Sequence, residues 1–237
     1  MNNRTLRIAV GVLKLSTKYE TAELRDRATS WLAVIYPPTL DAYRNRWTVW
    51  SKEPKEQFDL WNIALVANAA RTTKSLALLP SALFHYLEQY GDNIGAILDA
   101  HDAGFALGLK SYKGVLPLLT RDNLSSVLKA HSRIIFFSRK CIYGFAFYKD
   151  GITECKVESA ARCLRVRSKW AESVDSQSLD GWFSPLVQSL GGLKLCATCM
   201  LGAKKNRERG LKELWEQLPG MFDMIGWEEL EQASRLA

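Results

Sequence analysis

The chain has 237 residues, of which 47% are hydrophobic and 24% charged, and its formal net charge is +7. Eight tryptophans and this apolar content exclude a disordered chain, while an uncharged apolar stretch such as residues 141–148 is far too short to cross a bilayer. No signal-peptide cleavage site follows the apolar residues 8–13, so we expect an intracellular protein, cytoplasmic or nuclear, without a membrane contact.

Apolar residues at helical spacing dominate the first half of the chain. Thr21 and Thr39 are suited to N-cap two helices that Pro37–Pro38 separates. Pro80 and Gly91 are suited to begin and end a further helix. The residues that mark the buried helix faces are Leu24, Ala28, Leu32, Phe58, Trp61, Leu65 and Ala69.

The second half of the chain also predicts helices, with less regular connections. Residues 92–119 contain several glycines and indicate short helical pieces joined by loops, and residues 142–148 indicate a short strand or an extended loop. Thr120 is suited to cap a helix, and a further helix is expected over residues 157–170. After the polar residues 172–178, a helix is expected over residues 182–190 and, beyond a break at Gly191–Gly192, a final pair of helices led by Cys196. The sequence therefore predicts an all-α fold, an irregular helical assembly with at most one marginal pair of strands.

Two basic clusters stand out among the 32 lysines and arginines. No aromatic residues suited to stacking on bases are interleaved with them, so solvated helix faces are favoured and nucleic-acid binding is the unlikely alternative. That alternative is a nucleic-acid or chromatin-associated regulator. The clusters are Arg162, Arg165 and Lys169, and Lys204, Lys205, Arg207 and Arg209.

The cysteines offer the one metal-binding pattern in the sequence. Cys196 and Cys199 are separated by two residues, a spacing that lets both sulfurs bind one tetrahedral ion from a turn that enters a helix. Cys155 and Cys163 are separated by seven residues and would complete a structural zinc site of four sulfurs if the two pairs converge. Buried inert thiols are the open alternative, and a catalytic thiol is disfavoured because no histidine is paired with a cysteine by motif.

Enzyme motifs are present only as near misses. The glycines and lysine of Gly104–Ser111 are misplaced for a phosphate-binding loop, and Ser126–Lys129 matches a serine–lysine nucleophile pattern without its partner motifs. Asp99, His101 and Asp102 are closely spaced polar residues that are more often solvated than bound to a metal. We therefore expect no catalytic activity.

Separated segments of the chain carry a resemblance to one family. Residues 13–20, followed by Leu24–Arg25 and Trp31–Leu32, are similar to the last helices of a BTB/POZ fold. Residues 62–72 and 78–83 are similar to the helical segment that comes next, and residues 195–230 to the end of that region. In this order the segments resemble the region after the BTB domain of fungal, chiefly basidiomycete, BTB proteins, in which paired cysteines occupy corresponding places.

The resemblance implies both an organisation and a function. It implies the end of a truncated BTB domain over residues 1–36, the following helical region over 37–140, and a cysteine-containing helical region over 141–237. In such families the BTB domain dimerises and docks on a cullin scaffold, while the following helices recruit other proteins. The resemblance therefore implies a non-catalytic protein-interaction module, with a cullin scaffold among its candidate partners and an adaptor role in ubiquitin ligation that the missing front of the BTB domain would impair.

The start of the chain lies near the end of such a BTB domain, so we expect a truncated gene product or a fragment. The apolar residues that the absent part would cover are expected to form an exposed patch, with self-association as its consequence. These residues are Leu6, Ile8, Val10, Val12 and Leu13.

Overall fold

The computed structural model describes residues 3–50, 60–91, 94–95, 97–99, 101, 110–111, 114–115, 118–147, 155, 157–176, 190 and 193–236. This part of the chain is all-α, as predicted, with one antiparallel pair of two-residue strands. The helices are α1 Asn3–Lys18, α2 Ala22–Ala33, α3 Leu40–Trp50, α4 Leu60–Thr72, a 3-10 turn Leu76–Leu78, α5 Leu79–Tyr90, α6 Arg121–Phe137, a π-helical turn Ser138–Ile142, α7 Gly144–Phe147, α8 Val157–Ser176, α9 Ala197–Met221 and α10 Trp227–Leu236. The strands are β1 Lys110–Ser111 and β2 Gly114–Val115. None of the helices described is long and apolar enough to cross a membrane.

The predicted strand or extended loop over residues 142–148 is wrong for the part that the structure describes. The chain there forms the π-helical turn and α7, and the backbone N–H of Tyr143 donates to the carbonyl of Ser138 at 2.8 Å. Ile142, Tyr143 and Phe145 are all buried. A short apolar run buried on several sides has no periodicity that separates a strand from a helix, which explains the error.

The helix predicted over residues 157–170 is longer in the structure, because α8 continues to Ser176. No glycine or proline lies between Val157 and Ser176, so the polar residues there lengthen the helix rather than end it. The helix predicted over residues 182–190 lies outside the described residues, except for Leu190, which forms part of a 3-10 turn.

Contacts divide the chain into two compact units. Unit 1 contains residues 1–130 and 218–237, and unit 2 contains residues 131–217. The segments 1–36, 37–140 and 141–237 rest on sequence resemblance, and their boundaries stay a prediction.

In unit 1, α1 packs against α2 and α4, and α4 packs against α5. Leu6, Val10 and Leu13 of the predicted exposed patch are buried in these contacts, whereas Val12 is half-buried and Ile8 is exposed. The predicted patch is therefore wrong for most of its residues. The other helices of the same unit cover one face of α1, and no absent sheet is needed to bury it.

The start of α6 is held by side-chain hydrogen bonds. The hydroxyl of Thr120 accepts the backbone N–H of Asn123 at 3.4 Å, which confirms the predicted N-cap. Asn68 of α4 accepts the backbone N–H of Thr120 at 2.8 Å, and Arg71 donates to the Asn123 side chain at 2.6 Å. Thr21 also occupies its predicted N-cap position, at the start of α2, although its side chain makes no capping hydrogen bond.

A buried polar cluster joins α3 to α5 in unit 1. The guanidinium of Arg46 lies 3.3 Å from the carboxylate of Glu88, and the hydroxyl of Tyr43 donates to the same carboxylate oxygen. The side chains of Arg46 and Glu88 are only 5% and 7% exposed. Burial, and then the charge of Arg46, lower the pKa of the neighbouring His85 to about 3, so this histidine is neutral near pH 7.

Unit 2 contains an aromatic contact between α7 and α8. The ring of Trp170 lies 5.3 Å from that of Tyr143 and 5.7 Å from that of Phe145, measured between ring centroids. Such pairs add about 0.5–1.5 kcal/mol to the burial of the rings. Tyr143 and Phe145 are therefore held by packing against α8.

Gly210 of α9 allows close packing against the π-helical turn. A Cβ atom at Gly210 would lie 2.5 Å from the carbonyl oxygen of Cys141 and 2.9 Å from the Cα of Ile142. Because both are backbone atoms, they cannot move aside without distorting the turn. We expect Gly210→Ala to lower the free energy of unfolding by about 1–3 kcal/mol.

Gly220 in the same helix is the matched control. A Cβ atom at Gly220 would meet nothing within 4 Å, so Gly220→Ala should be neutral or stabilise the protein by up to about 1 kcal/mol. Urea unfolding of both variants measures the difference. Equal effects of the two substitutions would contradict the close contact at Gly210.

Candidate metal centre

The four predicted cysteines lie at the beginnings of two helices of unit 2. Cys155 lies two residues before α8, and Cys163 lies in the second turn of that helix. Cys196 immediately precedes α9, and Cys199 is its third residue. Each helix therefore supplies one sulfur from the approach to its first turn and one from the helix itself.

Cys196 acts as the N-cap of α9. Its carbonyl accepts the backbone N–H of Met200 at 2.8 Å, and its Sγ accepts the backbone N–H of Cys199 at 3.4 Å. A serine or aspartate oxygen usually takes the second role.

The two cysteine pairs converge. The Sγ atoms of Cys155 and Cys196 are 3.9 Å apart, and the backbone N–H of Cys196 donates to the Sγ of Cys163 at 3.3 Å. All four sulfurs lie within 4.8 Å of one another. The structure thus brings together the four residues that the sequence singles out, and they can hold a metal ion.

The cluster is partly shielded from solvent. Cys163 and Cys199 are buried, whereas Cys155 and Cys196 are half-buried. Burial in the first place, and then hydrogen bonds with the other three cysteines, raise the pKa of the Cys199 thiol. A metal ion must displace this proton, so metal binding at the cluster releases protons and weakens as the pH falls.

The basic clusters lie on exposed helix surfaces next to the cysteines in sequence. Arg162, Arg165 and Lys169 of α8 are exposed, as are Lys204 and Lys205 of α9. Arg209, also exposed, lies 3.8 Å from Glu213 one turn along the same helix. These positions agree with the expected solvated faces, whereas Arg207 of the second cluster is half-buried. Binding of nucleic acid stays an untested alternative.

The other candidate residues do not form a second site in the described part of the chain. Ser126 accepts a hydrogen bond from Arg71 at 3.3 Å, while Lys129 pairs with Asp223 at 2.9 Å, so both members of the serine–lysine pattern are engaged elsewhere. Asp99 is exposed and His101 is buried. Asp102 and most of residues 104–111 lie outside the described residues. Among the residues described, the four cysteines are the one group of three or more metal-binding side chains that converge.

The chain matches no protein-family model, no curated protein and no solved structure. The similarity to the region after a BTB domain therefore stays a prediction, and the functional argument depends on the geometry of the chain itself.

Proposed function

We propose that this chain is a non-catalytic protein-interaction module whose second unit is held together by a structural zinc ion. The observation that carries the zinc proposal is the convergence of four cysteine sulfurs within 4.8 Å. Zinc–sulfur bonds of about 2.3 Å in a tetrahedron place the sulfurs about 3.8 Å apart. The 3.9 Å separation of the Cys155 and Cys196 sulfurs already meets this requirement, and the remaining sulfurs need only small movements.

The chemistry of the four sulfur ligands narrows the choice of metal ion. Four thiolates suit zinc or iron and are poor ligands for magnesium, calcium or manganese, which prefer oxygen. An iron–sulfur cluster has several metal and sulfide atoms at its centre and needs its cysteines spread more widely than these are. Zinc is also the ion for which four-cysteine sites most often serve a structural role.

The coordination number argues against catalysis at this centre. A catalytic zinc site leaves one position open for water or substrate, whereas four protein sulfurs fill the tetrahedron. A zinc ion with four thiolates carries a net charge of −2, and the basic residues beside the cysteines in sequence, such as Arg162 and Lys204, offset it. These residues then have a structural role that requires no nucleic acid.

The interaction role is supported by the sequence resemblance. Fold alone does not imply function, so the support comes from the similar segments, whose order is that of the region after a BTB domain. A cullin scaffold and an adaptor role in ubiquitin ligation belong to this same proposal. Affinity purification of the whole chain, with cullin binding as the decisive observation, tests this part separately from the metal.

Metal analysis of the purified protein tests the zinc proposal. Mass spectrometry of the elements should find one zinc ion per chain, and Cys163→Ser should lower the zinc content to near zero. Cys141→Ser is the matched control, because Cys141 lies in the same unit and is not one of the four clustered residues. Protein that contains iron in place of zinc, or no metal after growth in zinc-supplemented medium, would refute the proposal.

A further inference from the structure

Helix α1 has a second apolar stripe beside the face that unit 1 buries. Ile8, Val12, Leu15 and Tyr19 follow one another at steps of four, three and four residues, which places them within an arc of about 60°. Tyr19 immediately follows α1, and its backbone N–H still donates to the carbonyl of Leu15 at 2.9 Å, as in the helix. We call these four residues the outer stripe. Ile8, Leu15 and Tyr19 are 56%, 57% and 67% exposed, and Val12 is half-buried.

The width and spacing of the outer stripe are those of a helix-packing seam. A helix that buries its face in a globular core or in a lipid surface usually has an apolar arc of about 100° or more, whereas alternating steps of three and four residues in a narrow arc match one helix packed along another. Gly11 borders the outer stripe, and a Cβ atom there would meet nothing within 4 Å. A second helix therefore has room to approach the backbone of α1 closely.

The charges of α1 itself beside the outer stripe are positive, and the exposed Glu20 follows Tyr19 beyond the end of the helix. Lys14 and Lys18 are exposed along one flank of α1, and the Nζ of Lys18 lies 5.3 Å from the centre of the Tyr19 ring. Ser16 and Ala9 lie on the other flank, and α1 contains no acidic residue. A second copy of this chain would bring like charges into an antiparallel pairing, whereas carboxylates on a partner would pair with these lysines.

We propose that the outer stripe of α1 binds an amphipathic helix of another protein that carries acidic residues beside its apolar stripe. The proposal rests on the proposed interaction role and adds the chemistry of the partner. The apolar contact supplies most of the affinity, and the lysines on a single flank favour one orientation of the partner helix.

Binding of two designed helical peptides to the zinc-loaded whole chain tests the proposal. One peptide has leucines at its core positions and glutamates beside them, and the other has lysines in place of the glutamates. Fluorescence anisotropy with labelled peptide, at concentrations where the peptides are monomeric, should show tighter binding of the glutamate peptide. Leu15→Ser should weaken that binding about tenfold or more, because the leucine loses most of its buried apolar area.

Two further variants make the test specific. Leu24→Ser is the matched control, since Leu24 is a leucine of α2 that is 45% exposed and lies outside the outer stripe, and it should bind the glutamate peptide as the wild type does. Lys14→Glu combined with Lys18→Glu should reverse the preference in favour of the lysine peptide. Equal affinity of the wild type for both peptides, or unchanged binding by Leu15→Ser, would overturn the proposal.

The other possible occupants are outcomes of the same experiment. If the outer stripe directs the chain to vesicles of phosphatidylserine and phosphatidylcholine without binding either peptide, its ligand is a membrane and the proposal fails. If light scattering finds a dimer that Leu15→Ser dissociates, the occupant is a second copy and the proposal also fails. Zinc content is measured on every variant. Loss of the metal can therefore be distinguished from loss of peptide binding at the outer stripe.

Discussion

Removal of the metal is expected to unfold residues 131–217 and to leave the helices α1, α2 and α4 folded. The four sulfurs join the beginnings of α8 and α9, which are separated by more than thirty residues in sequence. Structural zinc sites bind with apparent free energies of about 10–16 kcal/mol at pH 7. That is as large as the whole stability of a typical domain, about 5–15 kcal/mol, so unit 2 should not stay folded without its ion.

Hydrogen exchange of the backbone amides measures this effect helix by helix. After treatment with a strong zinc chelator, protection in α8 and over residues 197–217 should fall to that of an unfolded chain, while α1, α2 and α4 keep their protection. Cys199→Ser should have the same effect without a chelator, and Cys141→Ser should change little. Full protection of α8 in metal-free protein would show that the four thiols are core residues that need no ion.

Acid should act in the same direction as the chelator. Each sulfur must lose its proton to bind the metal, and burial in the folded unit raises the pKa of the Cys199 thiol, which makes that loss harder. Lowering the pH therefore favours the protonated thiols, releases the ion and destabilises unit 2 before unit 1.

Half of the metal centre is predictable from local sequence and half is not. The two-residue gap between Cys196 and Cys199 is sufficient to place both sulfurs on one side of a helix start. The gap between Cys155 and Cys163 is not a standard metal spacing, and buried inert thiols explain it equally well from sequence alone. Whether Cys155 and Cys163 can bind a metal depends on where α8 lies relative to the start of α9. This is a tertiary contact, and no local sequence pattern encodes it.

The wrong expectations have a common cause. The apolar residues of α1 indicate a covered helix, but they do not indicate what covers it, and α2 and α4 do so in place of an absent sheet. Residues 142–145 are all buried, so their pattern carries no period that separates a strand from a helix. In both segments the helical or apolar character is predictable, whereas the packing partner is not.

The buried pair of Arg46 and Glu88 has no sequence signal at all. Tyr43 and Arg46 are three residues apart on α3, as many exposed residues are, and Glu88 follows about forty residues later on α5. Charged residues are rarely buried unless they are paired, so sequence reasoning assigns both to the surface. Only the packing of α3 and α5 shows that these charges depend on each other.

Breaking this pair is expected to destabilise unit 1 strongly. Arg46→Ala leaves the carboxylate of Glu88 in a buried site without its counter-charge, and the loss of one partner of a buried pair typically costs about 3–5 kcal/mol. Replacing both residues, as Arg46→Met with Glu88→Leu, should recover most of that loss because no charge stays buried. Urea unfolding monitored by circular dichroism measures all three proteins.

The exposed pair of Lys129 and Asp223 in the same unit is the matched control. Its nitrogen–oxygen distance is 2.9 Å, shorter than the 3.3 Å of the buried pair, but the two side chains are 57% and 44% exposed. Water solvates the carboxylate of Asp223 that is left without its partner. Lys129→Ala should therefore lower the free energy of unfolding by less than about 1 kcal/mol. If Arg46→Ala and Lys129→Ala lower the free energy of unfolding equally, burial does not determine the strength of the Arg46–Glu88 pair.

The pH dependence of Arg46→Ala shows whether an unpaired carboxylate is the cause. Burial raises the pKa of Glu88 in the folded protein, and Arg46 opposes this effect, so the pKa should rise further when Arg46 is removed. The folded variant then binds a proton over a pH range in which the unfolded chain, with a glutamate pKa of about 4.3, does not. Its stability relative to the wild type should therefore be least impaired near pH 4 and fall as the pH rises towards the raised pKa of Glu88, whereas the loss of packing alone would give a deficit independent of pH.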